Sequence, residues 1–129
     1  MTEAVEFRFA FHARDFEKSI YFYQELLGLR PVPGWWDRPD GKGALFSVGG
    51  TGVIEIYGAA AGKTYDGPRP EAINLALRLP DAAAVDDFHK QLMALGIPEV
   101  DPPQDRAWGH RSFVVIDPDG IPIHIYCEL

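Results

Sequence analysis

The sequence predicts an α+β fold made of two βαβββ modules, each a curled sheet with one helix on its convex face. The first observation is a repeat, because "RFAFHARDFEKSIYFYQELLGL", which starts at Arg8, is matched by "NLALRLPDAAAVDDFHKQLMALG", which starts at Asn74. The second is the order of patterns, since each copy has an alternating strand-like run, a helical run and three further strand-like runs. We therefore expect a single domain, residues 1–129, that consists of module one at 4–58, a linker at 59–70 and module two at 71–128.

Each predicted helix has a start signal and a stop signal. Asp15 and Asp81 precede the helical runs, and an aspartate at the N-cap accepts a hydrogen bond from the first turn. The first helix is expected to run to about Leu27 with Gly28 ending it, and Gly96 ends the second helix. Apolar residues recur at helical spacing on one face of each helix, which indicates packing against a sheet.

The strand-like runs are short and are separated by turn residues. They read "LRPVPGWW", "GALFSVGG" and "GVIEIYG" in the first copy, and "IPEV", "RSFVVID" and "IPIHIYCE" in the second. The sequences "GGTG" and "DPDG" separate the last two runs of each copy, where Pro118 and Gly120 suit a tight turn. The linker "AAAGKTYDGPRP" is rich in small residues, glycine and proline, which is typical of a connecting segment.

Composition excludes several classes of protein. The chain has 129 residues, of which 47% are hydrophobic and 24% are charged, as in a globular protein. A net charge of −7 argues against a nucleic-acid surface. The apolar runs are shorter than the roughly 20 residues of a membrane span, and the N-terminus lacks the pattern of a signal peptide. A single cysteine, Cys127, excludes an intrachain disulfide and favours a reducing, cytoplasmic location.

The last strand of each copy carries a different polar residue at the same place. Side chains alternate across a strand, so Glu55 and Tyr57 face one way and the flanking isoleucines face the other. In the second copy the same alternation puts His124 and Tyr126 on one face. We expect the isoleucines to pack on the helices and the polar faces to line the concave side of each sheet. On the same counting, Cys127 faces away from His124.

Two segments resemble a known family. "DFEKSIYFYQELLGL" is similar to the D-x-x-x-S-x-x-F-Y-x-x-L-L-G-L helix of the glyoxalase/bleomycin-resistance/dioxygenase group, the vicinal oxygen chelate superfamily. "WGHRSFVVIDPDGIPIHIY" resembles its closing hairpin, and this ending is most like that of the bleomycin-resistance proteins. The resemblance covers nearly the whole chain and implies the glyoxalase/bleomycin-resistance fold. Functions differ within the superfamily, so the fold alone does not supply an activity.

The resemblance implies four inward positions that hold a divalent metal in the metal-using members. Carried over, they fall on Arg8, Glu55, Asn74 and His124. Glu55 and His124 are competent ligands and Asn74 is a weak one, but an arginine stays protonated and cannot ligate. A guanidinium would also repel a dication, so we expect a metal-free cavity with an Arg8–Glu55 ion pair. A divalent metal stays possible if Arg8 turns away and His12 joins Glu55 and His124 in a shifted site.

Aromatic residues are the other candidates for ligand contact. Tyr57 and Tyr126 face inward by alternation. Trp35 and Trp36 are neighbours and so point to opposite sides, which leaves one of them, Trp35 or Trp36, for the cavity and the other for the core. Trp108 precedes the hairpin strand, where bleomycin-resistance-like proteins also place a tryptophan near the ligand. We also expect His89 to be exposed on its helix.

The preferred functional hypothesis is a small-molecule-binding protein of the bleomycin-resistance type. Its partner would be an aromatic or cationic compound held by aromatic burial, with polar side chains fixing its orientation. The ligand-binding candidates are Arg8, Asn74, Tyr57, Tyr126, Trp35 and Trp108, and the tentative catalytic pair is Glu55 and His124.

Two enzyme hypotheses stay open. One is a metal-dependent glyoxalase-like lyase or isomerase, or a ring-cleaving dioxygenase, in which Glu55 and His124 hold the ion. The other is metal-free proton abstraction by Glu55 or His124, with Arg8 stabilising an enolate. In each case a half-open cavity leaves aromatic surface exposed, so we expect a homodimer.

Overall fold

The predicted α+β fold with two curled sheets is confirmed by the structure, a computed structural model that describes residues 3–69 and 71–129. The chain divides into two compact units, Met1–Pro70 and Glu71–Leu129, which are called unit one and unit two below. That the two units form a single domain stays a prediction. No helix among the described residues is long and apolar enough to cross a lipid bilayer.

Unit one is built on a mixed sheet with the strand order β1-β5-β4-β2, and β3 also pairs with β4. Its strands are β1 (Phe7–His12), β2 (Arg30–Pro31), β3 (Trp36–Arg38), β4 (Gly41–Val48) and β5 (Gly52–Ala59). The β1–β5 pair is parallel and the other pairs are antiparallel. The run "LRPVPGWW", expected as one strand, is divided between β2 and β3, because Pro33 has no N–H and Gly34 has a φ of 117°.

The helix of unit one begins as an α-helix and ends as a π-helix. Helix α1 (Phe16–Tyr21) begins at Asp15, whose side chain accepts a hydrogen bond from the Lys18 N–H at 3.1 Å. The chain then continues as a π-helical segment, Phe22–Leu26, and the Leu27 N–H donates to the Phe22 carbonyl at 2.8 Å. The predicted start and end of the helix are therefore correct, whereas the wider second half was not foreseen.

Unit two has the strand order β6-β9-β8-β7. Its elements are β6 (Leu75–Arg78), α2 (Ala82–Ala94), β7 (Glu99–Asp105), β8 (His110–Ile116) and β9 (Pro122–Glu128). Asp81 caps helix α2, since its side chain accepts from the Ala84 N–H at 2.8 Å. Strand β7 extends well beyond the short run "IPEV" from which it was predicted, and its register against β8 is irregular.

The repeat is reproduced in the pairing register. In unit one, Ala10 of β1 is the parallel partner of Glu55. In unit two, Ala76 of β6 is the parallel partner of His124. The two polar residues of the matched final strands therefore occupy equivalent places, each beside an alanine of the first strand of its own unit.

The isoleucine faces form the cores, as the alternation predicts. Ile54 and Ile56 are buried in unit one, and Ile123 and Ile125 are buried in unit two. In unit one, Phe11 of β1 contacts Tyr23 of the helical segment, with ring centroids 6.1 Å apart. Burying such side chains stabilises the fold by about 1.5–3 kcal/mol each relative to exposure. On the opposite faces of the final strands, Glu55, Tyr57, His124 and Tyr126 are only half-buried, so these side chains are accessible for chemistry.

The turn "DPDG" before β9 is held by one buried aspartate. The Asp117 side chain accepts hydrogen bonds from the N–H groups of Asp119 at 2.9 Å and Ile121 at 2.8 Å. Gly120 has a φ of 86°, which few other residues adopt. The side chain of Asp117 thus fixes where strand β9 begins.

The N-cap of helix α2 gives a test of this local reading. We expect Asp81→Ala to lower the free energy of unfolding by about 1 kcal/mol, because the Ala84 N–H loses its acceptor. Urea denaturation followed by circular dichroism measures the change. Asp87→Ala is the matched control, since Asp87 is exposed on the same helix and should change stability by less than about 0.5 kcal/mol. Equal losses in both variants would contradict the assignment of the cap.

Candidate functional site

The face of the unit-one sheet opposite the helix carries an ion pair. Glu55 is a half-buried residue, and its side chain is only 12% exposed. Its Oε1 accepts a hydrogen bond from Arg8 Nη1 at 3.3 Å and from the Tyr57 hydroxyl at 3.5 Å. Arg8 also forms an ion pair with Glu6. The expected Arg8–Glu55 ion pair is therefore present, and it joins the neighbouring strands β1 and β5.

These contacts fix the protonation of their members. Hydrogen bonds to Glu6 and then to Glu55 raise the pKa of Arg8 above its ordinary value, so its guanidinium stays charged. Burial raises the pKa of Tyr57, the nearby Glu55 carboxylate raises it further, and Arg8 opposes the change. Tyr57 is therefore a neutral hydrogen-bond donor to Glu55 at physiological pH.

Four rings follow one another across this face, and we call Trp36, Tyr57, His12 and Tyr65 the aromatic row. His12 stacks on Tyr65 with centroids 4.4 Å apart and planes inclined by 11°. Tyr57 lies 5.1 Å from His12 and 6.2 Å from Trp36. Tyr65 was missed from the sequence, although it is the one aromatic residue of the linker "AAAGKTYDGPRP". His12, considered above for a shifted metal site, packs here between two tyrosines.

The two adjacent tryptophans lie on different sides, and Trp36 is the one on the face of Glu55. Its indole lies over Gly43, where an added Cβ would come within 2.3 Å of Trp36 Nε1. Trp35 instead packs edge-on against Phe46, at 5.7 Å between centroids, and donates its Nε1–H to the Leu45 carbonyl at 3.2 Å. Of the two tryptophans considered for the cavity, Trp36 is therefore the one that shares the face of Glu55, and a ligand contact by Trp35 or Trp36 stays a prediction.

The matching face of unit two contains a pocket of about 310 Å³, which we call the unit-two pocket. It brings together four candidates from the sequence, and its lining is Asn74, Ala76, Trp108, His110, Ser112, His124 and Tyr126. The indole of Trp108 is 69% exposed, which leaves a flat apolar surface open to solvent. Their binding role stays a prediction, whereas their common location is established.

His110 belongs to this pocket and was not singled out from the sequence. Its ring stacks on Tyr126 with centroids 4.5 Å apart and an interplanar angle of 25°. His110 pairs with Glu128 in the β8–β9 register, and Ser112 pairs with Tyr126. Counting by two along the hairpin would have placed His110 on the face of Tyr126 and His124, so the signal was present.

The charged side chains near the unit-two pocket are held by protein partners. Arg111 donates to Asp86 at 2.8 Å and to Asp105 at 3.0 Å, and these bonds raise its pKa. Arg106 lies 3.0 Å from Asp101 and donates to the hydroxyl of the lining residue Ser112 at 2.9 Å. The residues that line the pocket are themselves neutral polar groups and rings, with one guanidinium directly behind Ser112.

Two further residues are placed by the structure. Cys127 is buried on the face of β9 opposite His124, as expected from alternation. The expectation that His89 is exposed is wrong. Its ring packs edge-on against Phe113 at 5.1 Å, and its Nε2 lies 3.2 Å from the Glu99 carboxylate, because helix α2 packs this side of His89 against the sheet.

Comparison with known proteins agrees with the fold. The profile described as Glyoxalase/Bleomycin resistance protein/Dioxygenase superfamily matches residues 8–125. No curated protein matches the chain.

Three solved structures illustrate the range of similar proteins. TnmS3, an antibiotic binding protein from Streptomyces sp. CB03234, is 22% identical with a TM-score of 0.74, over 100% of this chain and 99% of that one. A superfamily member from Sphaerobacter thermophilus DSM 20745 is 23% identical with a TM-score of 0.75, over 99% and 100%. Lactoylglutathione lyase from Agrobacterium tumefaciens is 21% identical with a TM-score of 0.69, over 98% and 96%.

The chain belongs to the glyoxalase/bleomycin resistance protein/dioxygenase superfamily. The matched residues span both units and both of the final strands that carry Glu55 and His124. Since the similar proteins include both a binding protein and a lyase, the site chemistry must decide between them.

The donor set does not fit a resident divalent metal. One of the four positions implied by the family is Arg8. Its charged guanidinium forms an ion pair with Glu55, with Nη1 3.3 Å from Oε1. A cation approaching Glu55 would have to displace this guanidinium and then meet its charge. Among the described residues, no group of three or more His, Cys, Asp and Glu side chains is arranged to hold a metal ion.

The role of Arg8 is tested by metal binding. We expect Arg8→His to gain affinity for Zn²⁺ or Ni²⁺, because it removes the repelling charge and adds a neutral nitrogen beside Glu55. Dialysis against each metal followed by elemental analysis gives the metal content, and calorimetry gives the affinity. Arg30→His is the control, since Arg30 contacts the Ser47 hydroxyl rather than Glu55. Wild-type protein that binds a stoichiometric metal with micromolar affinity would overturn the metal-free interpretation.

Proposed function

We propose that this protein binds and sequesters a planar aromatic small molecule, without a resident metal, at the unit-two pocket. The observation that carries the proposal is the pocket of about 310 Å³, in which rings form the walls and neutral polar groups converge. Its size lies within the range of small-molecule sites. The exposed Trp108 offers a stacking surface, and Asn74 and His124 offer donors and acceptors that would orient a ligand.

The charges around the pocket favour an aromatic ligand over a cationic one. Among the described residues that line it, none carries a carboxylate or a guanidinium. The neighbouring Glu128 is paired with Arg78 at 3.4 Å. The net charge of the chain is −7, but none of the acidic residues lines this pocket. A cationic ligand would therefore be buried here without a carboxylate to pair with.

The likeness to an antibiotic binding protein supports this function at the level of fold. Sequestration requires no reaction. It requires only that the free energy gained by burying the ligand exceeds the entropy cost of ordering the ligand and its contact side chains. An aromatic platform with a few polar contacts meets that requirement. A toxic aromatic compound, such as an antibiotic, is the kind of ligand whose removal from solution would matter to a cell.

A second candidate is metal-free proton abstraction in unit one, and one observation favours it. The Glu55 carboxylate lies between the Arg8 guanidinium and the Tyr57 hydroxyl, which provides a base beside a cation that could stabilise an enolate. The likeness to lactoylglutathione lyase supports an enzyme only at the level of fold. Turnover that is lost in Glu55→Gln, with no loss of binding at the unit-two pocket, would favour this candidate. The metal-dependent lyase or dioxygenase is disfavoured by Arg8.

Ligand binding can be tested with a panel of neutral, anionic and cationic planar aromatic compounds, with bleomycin among the cations. We expect a neutral or anionic member to raise the melting temperature, since a ligand at 100 times its Kd stabilises by about 2.7 kcal/mol. Trp108→Ala should abolish most of this shift. Val100→Ala is the control, because Val100 is an exposed apolar residue of unit two outside the pocket lining. A shift that only cations produce, or that survives Trp108→Ala, would contradict the proposal.

We also propose a homodimer in the cytoplasm. Strand β1 is an edge strand, and Val5 and Phe7 are 89% and 71% exposed there. An exposed edge with apolar side chains is a surface that proteins usually cover. The free, buried Cys127 is compatible with a reducing compartment.

Sedimentation velocity at micromolar concentration tests the assembly. We expect the mass of a dimer for the wild type and a shift toward monomer for Phe7→Glu, because the new carboxylate would be buried without a partner. Leu95→Glu, which introduces the same charge at an exposed apolar residue at the end of helix α2 rather than on a sheet edge, should leave the mass unchanged. A wild-type monomer under these conditions would reject the dimer.

A further inference from the structure

A second cleft lies in unit one. Its lining includes Trp36 of the aromatic row, but not Tyr57, His12, Tyr65 or Glu55. It has a volume of about 340 Å³ and is bounded by helix α1, strand β3 and strand β4. The residues used below are Phe16, Trp35, Asp37 and Lys42, all of which line it. None of them belongs to the unit-two pocket, so the cleft is a separate site.

The cleft lies at the edge of the sheet formed by β3, where Trp35 and Asp37 line it from the helix side and Trp36 and Gly43 also contribute to its lining. Trp36 turns toward Tyr57, so Trp35 and Asp37, its neighbours on either side, turn the other way. Trp35 packs against Phe46, whose strand partner Ile54 is buried in the core. The indole of Trp35 is still 44% exposed, and it therefore presents a free aromatic surface to the cleft.

The charges in the cleft are unbalanced. Lys42 is already engaged, since its Nζ lies 3.5 Å from Glu17 and 4.9 Å from the centroid of the Phe16 ring. Asp37 is exposed and is the antiparallel partner of Lys42, but within residues 3–69 and 71–129 its side chain makes no hydrogen bond or ion pair. The cleft thus contains two carboxylates, Glu17 and Asp37, and one lysine, which is held by Glu17.

Rings at this edge of the sheet already hold cations. The guanidinium carbon of Arg38 lies 4.7 Å from the Trp36 ring centroid, and Lys42 lies over Phe16. Such contacts are attractive because the face of an aromatic ring is negative. Within the described part of the chain, Trp35 is the cleft ring over which no cation lies.

We propose that this cleft binds a small organic cation with an apolar body, its ammonium placed between the Trp35 ring and the Asp37 carboxylate. Cation–π attraction and one unpaired carboxylate supply the selectivity, and the apolar walls supply burial. The site is independent of the proposed function, because it uses other residues in the other unit. It also gives Trp35 a ligand-binding role that the Glu55 face does not provide.

The test is calorimetric titration of the wild-type protein and of Trp108→Ala with benzyltrimethylammonium chloride. Phenylacetate and benzyl alcohol, the anionic and neutral probes, are compared with the cation in Trp108→Ala, because the unit-two pocket is proposed to bind such compounds through Trp108. We expect the cation to bind more tightly than either of the other two, and more weakly as salt increases. Asp37→Asn should weaken cation binding about two- to fivefold, as expected for a charge contact near a protein surface. Trp108→Ala should leave the titration with the cation unchanged, which separates this site from the unit-two pocket.

Asp40→Asn is the matched control for Asp37→Asn, since Asp40 is exposed in the turn that follows β3 and lies outside the cleft. A second variant, Trp35→Leu, keeps apolar volume but removes the ring, and it should weaken the cation more than benzyl alcohol. If that variant does not fold, Asp37→Asn alone decides. Absence of binding at millimolar concentration, equal binding of all three probes, or equal effects of Asp37→Asn and Asp40→Asn would overturn the proposal.

Discussion

Parallel pairing between the first and the last strand of each unit is the constraint on which the two faces depend. It sets Ala10 beside Glu55 in unit one and Ala76 beside His124 in unit two. Because side chains alternate along a strand, one register assigns every residue of the final strand either to the core or to the open face. A slip of one residue would bury Glu55 and expose the isoleucines. Burial of the isoleucines therefore also keeps Glu55 on the open face.

The Arg8–Glu55 contact matters more for what it excludes than for the stability it adds. The Arg8 side chain is 45% exposed, and ion pairs in such positions contribute little to folding because water and salt screen them. The same guanidinium nevertheless puts a permanent positive charge where the metal-using relatives are expected to place a ligand. Arg8 can therefore disfavour metal-dependent reactions although its ion pair adds little to the free energy of folding.

Much of the architecture could be predicted from the sequence, because it follows from short-range patterns. The caps at Asp15 and Asp81, the two-residue alternation of the final strands and the repeat each depend on near neighbours in the chain. The π-helical segment after Tyr21 and the division of β2 from β3 were not foreseen, since packing and backbone geometry set them. The site was only partly predictable for the same reason. Alternation could say that Trp35 and Trp36 differ, but only the pairing of Trp36 with Gly43 says which one reaches Tyr57.

The burial of Cys127 makes its thiol a probe of how often unit two opens. It is the single cysteine of the chain, and its sulfur lies in the core beneath strand β9, out of reach of reagents in solution. A thiol-modifying reagent can react only when β9 separates from its neighbours, so the rate of modification counts the openings of unit two. Two of the three tryptophans, Trp35 and Trp36, lie in unit one, and Trp108 lies in unit two. In a Trp108→Phe variant, indole emission would report on unit one and thiol labelling on unit two, so the opening of each unit could be measured separately.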